Sequence, residues 1–266
     1  MRAEVVATPV LERLAAGGVS GVVRGATERA AYLDLGGFVV ALTAPGVPLM
    51  PNGVAVRRTA VGDGSVRAAP GRIALAGDEV TWDADAPPLW EPALARFGPD
   101  AAEALRARGA AIAAALGPWE LGAGDRGREG LDTLGRALRG RDPAAAARAA
   151  DRLLGLGGGL TPEGDDVLTA TAAVVAACGE AFGFDGHRWL AVLVPPDAAE
   201  RTTALSATLL ALGRQGRIVE PVHRLLDLRG GEAAWREALA TLVATGASTG
   251  RAYVSAVASA LEALAS

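Results

Sequence analysis

The sequence predicts an α+β protein: an N-terminal antiparallel β-rich domain over residues 1–95, then an α-helical domain over residues 96–266. Three observations carry that expectation. From Val19 to Trp82 the chain breaks into short β-type runs punctuated by Gly, Pro and Asp-Gly pairs. Asp83 to Pro99 then carries four prolines without periodicity, as a connection would. Beyond it, apolar residues recur at helical spacing.

The β-type runs, in order, are GVVRG, AYLDL, FVVALT, GVAVRR, SVRAA, RIALAG and EVTW, which read as an antiparallel meander or small barrel. Helices are expected over Asp100 to Leu116, Glu129 to Leu138, Asp142 to Leu154, Thr161 to Cys178, Asp197 to Gln215, Pro221 to Leu228, Glu232 to Ala244 and Ser248 to Ala265. Asp142-Pro143 and Thr161-Pro162 each place a capping side chain before a proline suited to the first helical position. Gly155 is expected to end the helix that begins at 142. WLAVLV at 189–194 fits strand and helix equally, because so short an apolar run has no decisive period.

Composition narrows the chemistry. The chain has 266 residues, half of them hydrophobic, enough to build a substantial core. Its 26 basic residues are all arginine, so a Schiff-base lysine and a P-loop phosphate lysine are both excluded. They face 30 acidic residues, for a net charge of −4 with no long run of one sign, and nucleic acid is not an expected partner. A single cysteine, Cys178, precludes an intrachain disulfide, and two histidines, His187 and His223, do not make a zinc site of the usual Cys/His spacing. Charges interrupt the apolar N-terminus MRAEVVATPVLERLAAGG, and the longest apolar run, from Val167 to Cys178, is too short to span a bilayer. The expected setting is cytoplasmic, with no membrane segment.

The segment with the clearest chemical character is Leu156-Gly157-Gly158-Gly159-Leu160-Thr161-Pro162-Glu163-Gly164-Asp165-Asp166, a glycine-rich turn running into a helix. Successive glycines let backbone N–H groups converge, and a helix start adds unpaired amides and the positive end of its dipole. Such a construction suits a bound anion or a developing oxyanion. It equally serves as a plain helix–loop–helix link in which Asp165 and Asp166 complement the dipole. Gly164 in the first turn tips the balance toward a site, since glycine there costs about 1 kcal/mol relative to Ala and signals close approach by a ligand or another backbone. Asp165 and Asp166 project about 100° apart and so have different duties. Either one receives a substrate N–H or proton while the other bonds the glycine turn, or both contribute to a hydrated Mg²⁺ site, for which no third ligand is evident.

Two further patches of small polar residues stand at helix starts. Arg201, Thr203 and Ser206 lie near one, with the two hydroxyls spaced i, i+3. Ser248, Thr249 and Gly250 open the last helix and are followed by Arg251. Ordinary capping and close helix packing account for both patches as well as ligand binding does. Arg201 suits a carboxylate or phosphate, or else a solvated surface pair. His187, His223 and Cys178 are expected to be structural or inert.

The run GGGLTPEGDD resembles the hallmark G-x-G-L-T-P-x-G-D-D of the oxamate carbamoyltransferase subunit AllH family. The resemblance extends to Arg201-Thr202-Thr203 with Ser206, the following helix to Gly213, and the loop Gly246 to Gly250. In the main motif Gly157, Gly159, Leu160, Thr161, Pro162, Gly164, Asp165 and Asp166 match. Glu163 stands where a small residue is usual, and Ser248-Thr249-Gly250-Arg251 replaces a Thr-Ser-Gly followed by Asp. The resemblance implies a carbamoyltransferase component of allantoin and purine catabolism, which converts oxalurate and phosphate to oxamate and carbamoyl phosphate. It implies no cofactor beyond phosphate as co-substrate. It also implies work in a complex with two other subunits, one resembling an acyl-CoA synthetase subunit. On this basis Asp165 and Asp166 are the expected catalytic pair, and Gly157, Gly158, Gly159, Thr161, Gly164, Arg201, Thr203, Ser206, Ser248, Thr249 and Gly250 the expected substrate-binding set. The competing expectation is a non-catalytic metabolite-binding or assembly subunit, because no nucleophile–base pair is visible in the sequence.

Overall fold

A computed structural model describes residues 1–59, 62, 64–117 and 124–266. The chain forms two compact units, Met1–Pro92 and Ala93–Ser266. In the first unit, strand β1 (Val5–Ala7) leads into helix α1 (Thr8–Ala15), which has a proline in its first turn. The remaining strands are β2 (Val19–Ala26), β3 (Ala30–Asp34), β4 (Val39–Thr43), β5 (Gly53–Ala55), β6 (Ser65–Ala69), β7 (Arg72–Leu75), β8 (Asp78–Thr81) and β9 (Leu89–Trp90). They form one sheet in the order β8-β7-β6-β2-β3-β4-β5-β1-β9.

This sheet is mixed rather than antiparallel throughout. β4 pairs with β5, and β1 with β9, in parallel, while the other pairings are antiparallel. Parallel neighbours need a connection longer than a hairpin; residues 44–52 provide it between β4 and β5. At the β8 edge, Ala3 donates to the Thr81 carbonyl and Thr81 to the Met1 carbonyl, so the N-terminal residues cover what would otherwise be an open strand edge. Val6, Val10, Leu14, Leu33, Leu42, Val54, Val66, Ile73 and Val80 fill the core between the sheet and α1.

The second unit is helical. After a short 3₁₀ turn its helices are α2 (Ala102–Leu116), α3 (Gly124–Arg139), α4 (Pro143–Leu153), α5 (Glu163–Cys178), α6 (Gly186–Leu193), α7 (Ala198–Arg201), α8 (Ala204–Gly213), α9 (Glu220–Leu226), α10 (Glu232–Val243) and α11 (Thr249–Leu264). The ambiguous segment at 189–194 lies largely within α6. The expected helix from 197 to 215 is two helices, because Thr202 and Thr203 are extended and Thr203 caps α8 by accepting from the Ser206 amide at 3.1 Å. Thr203 and Ser206 are therefore a cap and its partner, not two positions on one helical face. The Asp142 cap forms as expected, accepting from Ala145 N at 3.0 Å, and Gly155 takes φ +72° just beyond α4.

α5 is the centre of this unit. Every residue of it except Ala176 is buried, as suits a helix apolar on nearly all sides. It packs against α11, α8, α6 and α4. Among the described residues no helix is long and apolar enough to cross a membrane.

Candidate functional site

The glycine turn leaves α4 and enters α5 through backbone that alternates in hand. Gly155, Gly157 and Gly159 have φ of +72°, +120° and +87°, whereas Leu156 and Gly158 do not take positive φ. Alternation of this kind turns successive N–H groups toward one side and makes an anion-receptive concavity. Among the described residues, the amides of Gly157, Gly158, Gly159, Leu160 and Thr161 donate no hydrogen bond. Residues 157–160 are exposed, and a side chain built on Gly158 or Gly159 would meet nothing within 4 Å. Space therefore lies open beside the free amides.

The helix start itself differs from expectation. Pro162 is the N-cap and α5 begins at Glu163, so Thr161 caps nothing; its Oγ1 lies 3.0 Å from Thr249 Oγ1 at the start of α11. The first-turn amides are used internally. Gly164 N donates to the Leu156 carbonyl, and Asp165 N and Asp166 N to the Pro162 carbonyl. The anion-receptive amides are those of the loop, not those of the helix. Gly164 serves packing: an added Cβ would lie 2.0 Å from the Leu153 carbonyl oxygen. This is the close approach by backbone that the sequence left undecided between backbone and ligand.

The two aspartates part company as their angular separation requires. Asp165, 1% exposed, accepts from Gly155 N at 2.7 Å and from the Thr202 hydroxyl, so it ties the glycine turn to the segment before α8. Burial pushes its carboxyl above the usual range, against the opposing hydrogen bonds from Gly155 and Thr202. Asp166, also 1% exposed, keeps one oxygen, Oδ2, with no partner. Its carboxyl is pushed well above the usual range, first by burial and then by the neighbouring Asp165 and Glu163, with the Thr249 and Thr161 hydroxyls acting in the opposite direction.

The three patches seen in sequence meet. Thr203 Oγ1 donates to the Leu160 carbonyl at 2.6 Å, Thr202 binds Asp165, and Thr249 meets Thr161. Ser206 is 1% exposed and its Oγ has no partner. Gly250 is required by packing, since a Cβ there would lie 1.6 Å from the Leu242 carbonyl oxygen. Ser248 is the N-cap residue of α11 without a side-chain cap bond. Arg201 is engaged elsewhere, 2.7 Å from Asp151 and 3.5 Å from Asp197. Arg251, exposed on the first turn of α11, makes no ion pair among the described residues. His187 is exposed on α6, and His223 on α9 has its Nε2 3.3 Å from the carbonyl of Ile218, which precedes that helix. Cys178 is buried, its thiol pushed up to about 12 by burial.

Sequence reasoning missed Thr202, whose hydroxyl holds Asp165, and Tyr253, a buried residue of α11 whose hydroxyl is pushed well up, first by burial and then by Asp166 and Asp165. The spacing from Thr249 to Tyr253, i to i+4 on the helix that opens with the Ser-Thr-Gly loop, is the signal that points to the second. No group of three or more His, Cys, Asp or Glu among the described residues is arranged to hold a metal ion. Both Asp165 oxygens are already engaged.

Residues 153–261 match the family described as oxamate carbamoyltransferase subunit AllH. That span runs from the end of α4 almost to the end of α11 and contains all three patches. Neither a curated protein nor a solved structure matches the chain.

Proposed function

We propose that this chain is the substrate-holding component of a carbamoyltransferase acting on a small ureido acid, with oxalurate and phosphate giving oxamate and carbamoyl phosphate in allantoin and purine nitrogen catabolism. The family match supports a subunit of oxamate carbamoyltransferase. The observation that carries the finer reading is the run of five loop amides, Gly157 to Thr161, with no internal acceptor and open space beside them. In the reaction a phosphate oxygen attacks the terminal ureido carbonyl. The carbonyl oxygen becomes a tetrahedral oxyanion, and the C–N bond to the oxamate nitrogen then breaks. Amides preorganised in a loop stabilise such an oxyanion by a few kcal/mol, because they need no reorientation as the charge develops. Asp165 contributes by fixing the turn, and Arg251, on the first turn of α11, is a cation available for a substrate carboxylate or phosphate.

One observation favours a second reading. Among the described residues, those that the three patches bring into contact include no histidine or cysteine, and Arg201 is held by two carboxylates, so these contacts supply no nucleophile–base pair. A binding or assembly subunit would need no such pair. The test is phosphate-dependent formation of carbamoyl phosphate from oxalurate, by the purified chain alone and with its co-encoded neighbours. The leading reading expects product with the neighbours present and its loss on Gly159→Val. Product unaffected by that change would assign the chain to assembly.

A further inference from the structure

Asp166 is the aspartate of the motif that keeps an unsatisfied carboxylate oxygen. It is 1% exposed and its Oδ2 has no partner. The charges that act on it are of the wrong sign, Asp165 and Glu163 on its own helix, and from α11 it is faced by the Tyr253 hydroxyl, which burial and the two aspartates keep protonated. The cations on the helices packed against α5, Arg148 and Arg152 on α4, Arg188 on α6 and Arg251 on α11, are all exposed. α8 contains no charged residue, His187 and Arg188 on α6 are exposed, and Asp151 and Arg152 at the end of α4 are in exposed ion pairs with Arg201 and Glu129. An ionised carboxylate so placed carries a desolvation cost that protonation removes.

Two hydroxyls lead from this carboxyl toward the loop. Thr249 and Thr161 both face Asp166, and their Oγ1 atoms are 3.0 Å apart with either able to donate. Thr161 is only partly buried and belongs to the run of free amides. One residue therefore offers an N–H to an anion in the loop and a hydroxyl to the buried acid.

We infer that Asp166 is a proton store for the loop site, holding a neutral carboxyl that exchanges its proton with a bound ligand through the Thr249 and Thr161 hydroxyls. The role of the proton rests on the proposed reaction; its presence on Asp166 does not. In that reaction the phosphate oxygen forms the new C–O bond while the C–N electron pair departs onto nitrogen. The Asp166 proton moves to Thr249 Oγ1, the Thr249 proton to Thr161 Oγ1, and the Thr161 proton to the leaving oxamate nitrogen. The proton released by the attacking hydrogen phosphate returns along the same hydroxyls and restores the acid, so no proton is gained or lost overall. Asp166 acts through the threonines and is a positioning and proton-holding residue.

The test is infrared spectroscopy of the whole protein without ligand, monitoring the protonated-carboxyl band across pH and after a pH jump. The inference expects such a band at neutral pH, lost in Asp166→Asn and retained in Asp165→Asn. Thr161→Val should slow the response to the jump, and Thr161→Ser should restore it. If Asp166→Asn does not fold, aspartate labelled at the carboxyl carbon identifies the same group by its chemical shift in the unsubstituted chain. An Asp166 ionised at neutral pH, or a Thr161→Val response as fast as the parent's, overturns the inference. Since no ligand is present, either result leaves the loop's anion binding to be judged separately by titration with phosphate.

Discussion

Asp165 and Asp166 are one helical step apart, both buried, and chemically opposite. Asp165 has both oxygens engaged, by Gly155 N and the Thr202 hydroxyl. Truncating it to Ala leaves those donors unpaired, and a buried donor without an acceptor costs about 1–3 kcal/mol. Asp165→Asn keeps part of this bonding and should lose only about 1 kcal/mol; thermal unfolding of the two variants measures the difference. Asp166 governs a pH dependence. A carboxyl whose folded value is raised binds more protons folded than unfolded, so its contribution to stability falls as pH rises from the unfolded aspartate value of about 3.9 through the raised folded value. Asp166→Asn should flatten the decline of melting temperature over that window, and an unchanged slope would count against a raised Asp166. The GDD pattern was visible in sequence, and so was the need for two different roles. Which residue took which role was not, because the partner Gly155 is ten positions away and Thr202 thirty-seven.

At the scale of elements, the glycines divide into those that pack and those that open. Gly164→Ala places a methyl 2.0 Å from the Leu153 carbonyl oxygen, so the end of α4 and the start of α5 must separate. A cost of about 1–3 kcal/mol or more is expected, by analogy with overpacked cores. Gly158→Ala meets nothing within 4 Å and has no positive φ to lose, so its stability should change by less than about 1 kcal/mol. Chemical denaturation of the pair checks this contrast; equal losses would show that the loop, too, is a packing device. Thr203→Ala removes the α8 cap and the bond to the Leu160 carbonyl, and should cost about 1–2 kcal/mol. Helix existence was legible because apolar periodicity is local. The break at Thr202–Thr203 was hidden within it, since two hydroxyl residues do not interrupt an alanine- and leucine-rich pattern. Pro162 misled for a related reason: proline suits both the N-cap and the first helical position, and a tertiary contact to Thr249 drew Thr161 away from capping.

For the whole molecule, a β-rich unit followed by a helical one was legible from the change of hydrophobic period near the proline-rich segment. The seven strands from β2 to β8 coincide with the β-type runs. β1, β9 and α1 escaped because two- and three-residue strands and a helix of eight residues have too few turns to show a period. The parallel pairings escaped because strand direction is set by long-range register, which no local pattern encodes. In the helical unit, patches separated by as many as 88 positions meet at the ends of α5, α8 and α11. The functional reading depends on that convergence and on the free amides at its mouth. The most direct measurement is an amide-resolved NMR titration of the whole protein with phosphate and with oxalurate. The account predicts saturable shifts concentrated at Gly157, Gly158, Gly159, Leu160 and Thr161, abolished by Gly159→Val. Saturable shifts centred on other residues, with these five amides unmoved, would contradict it.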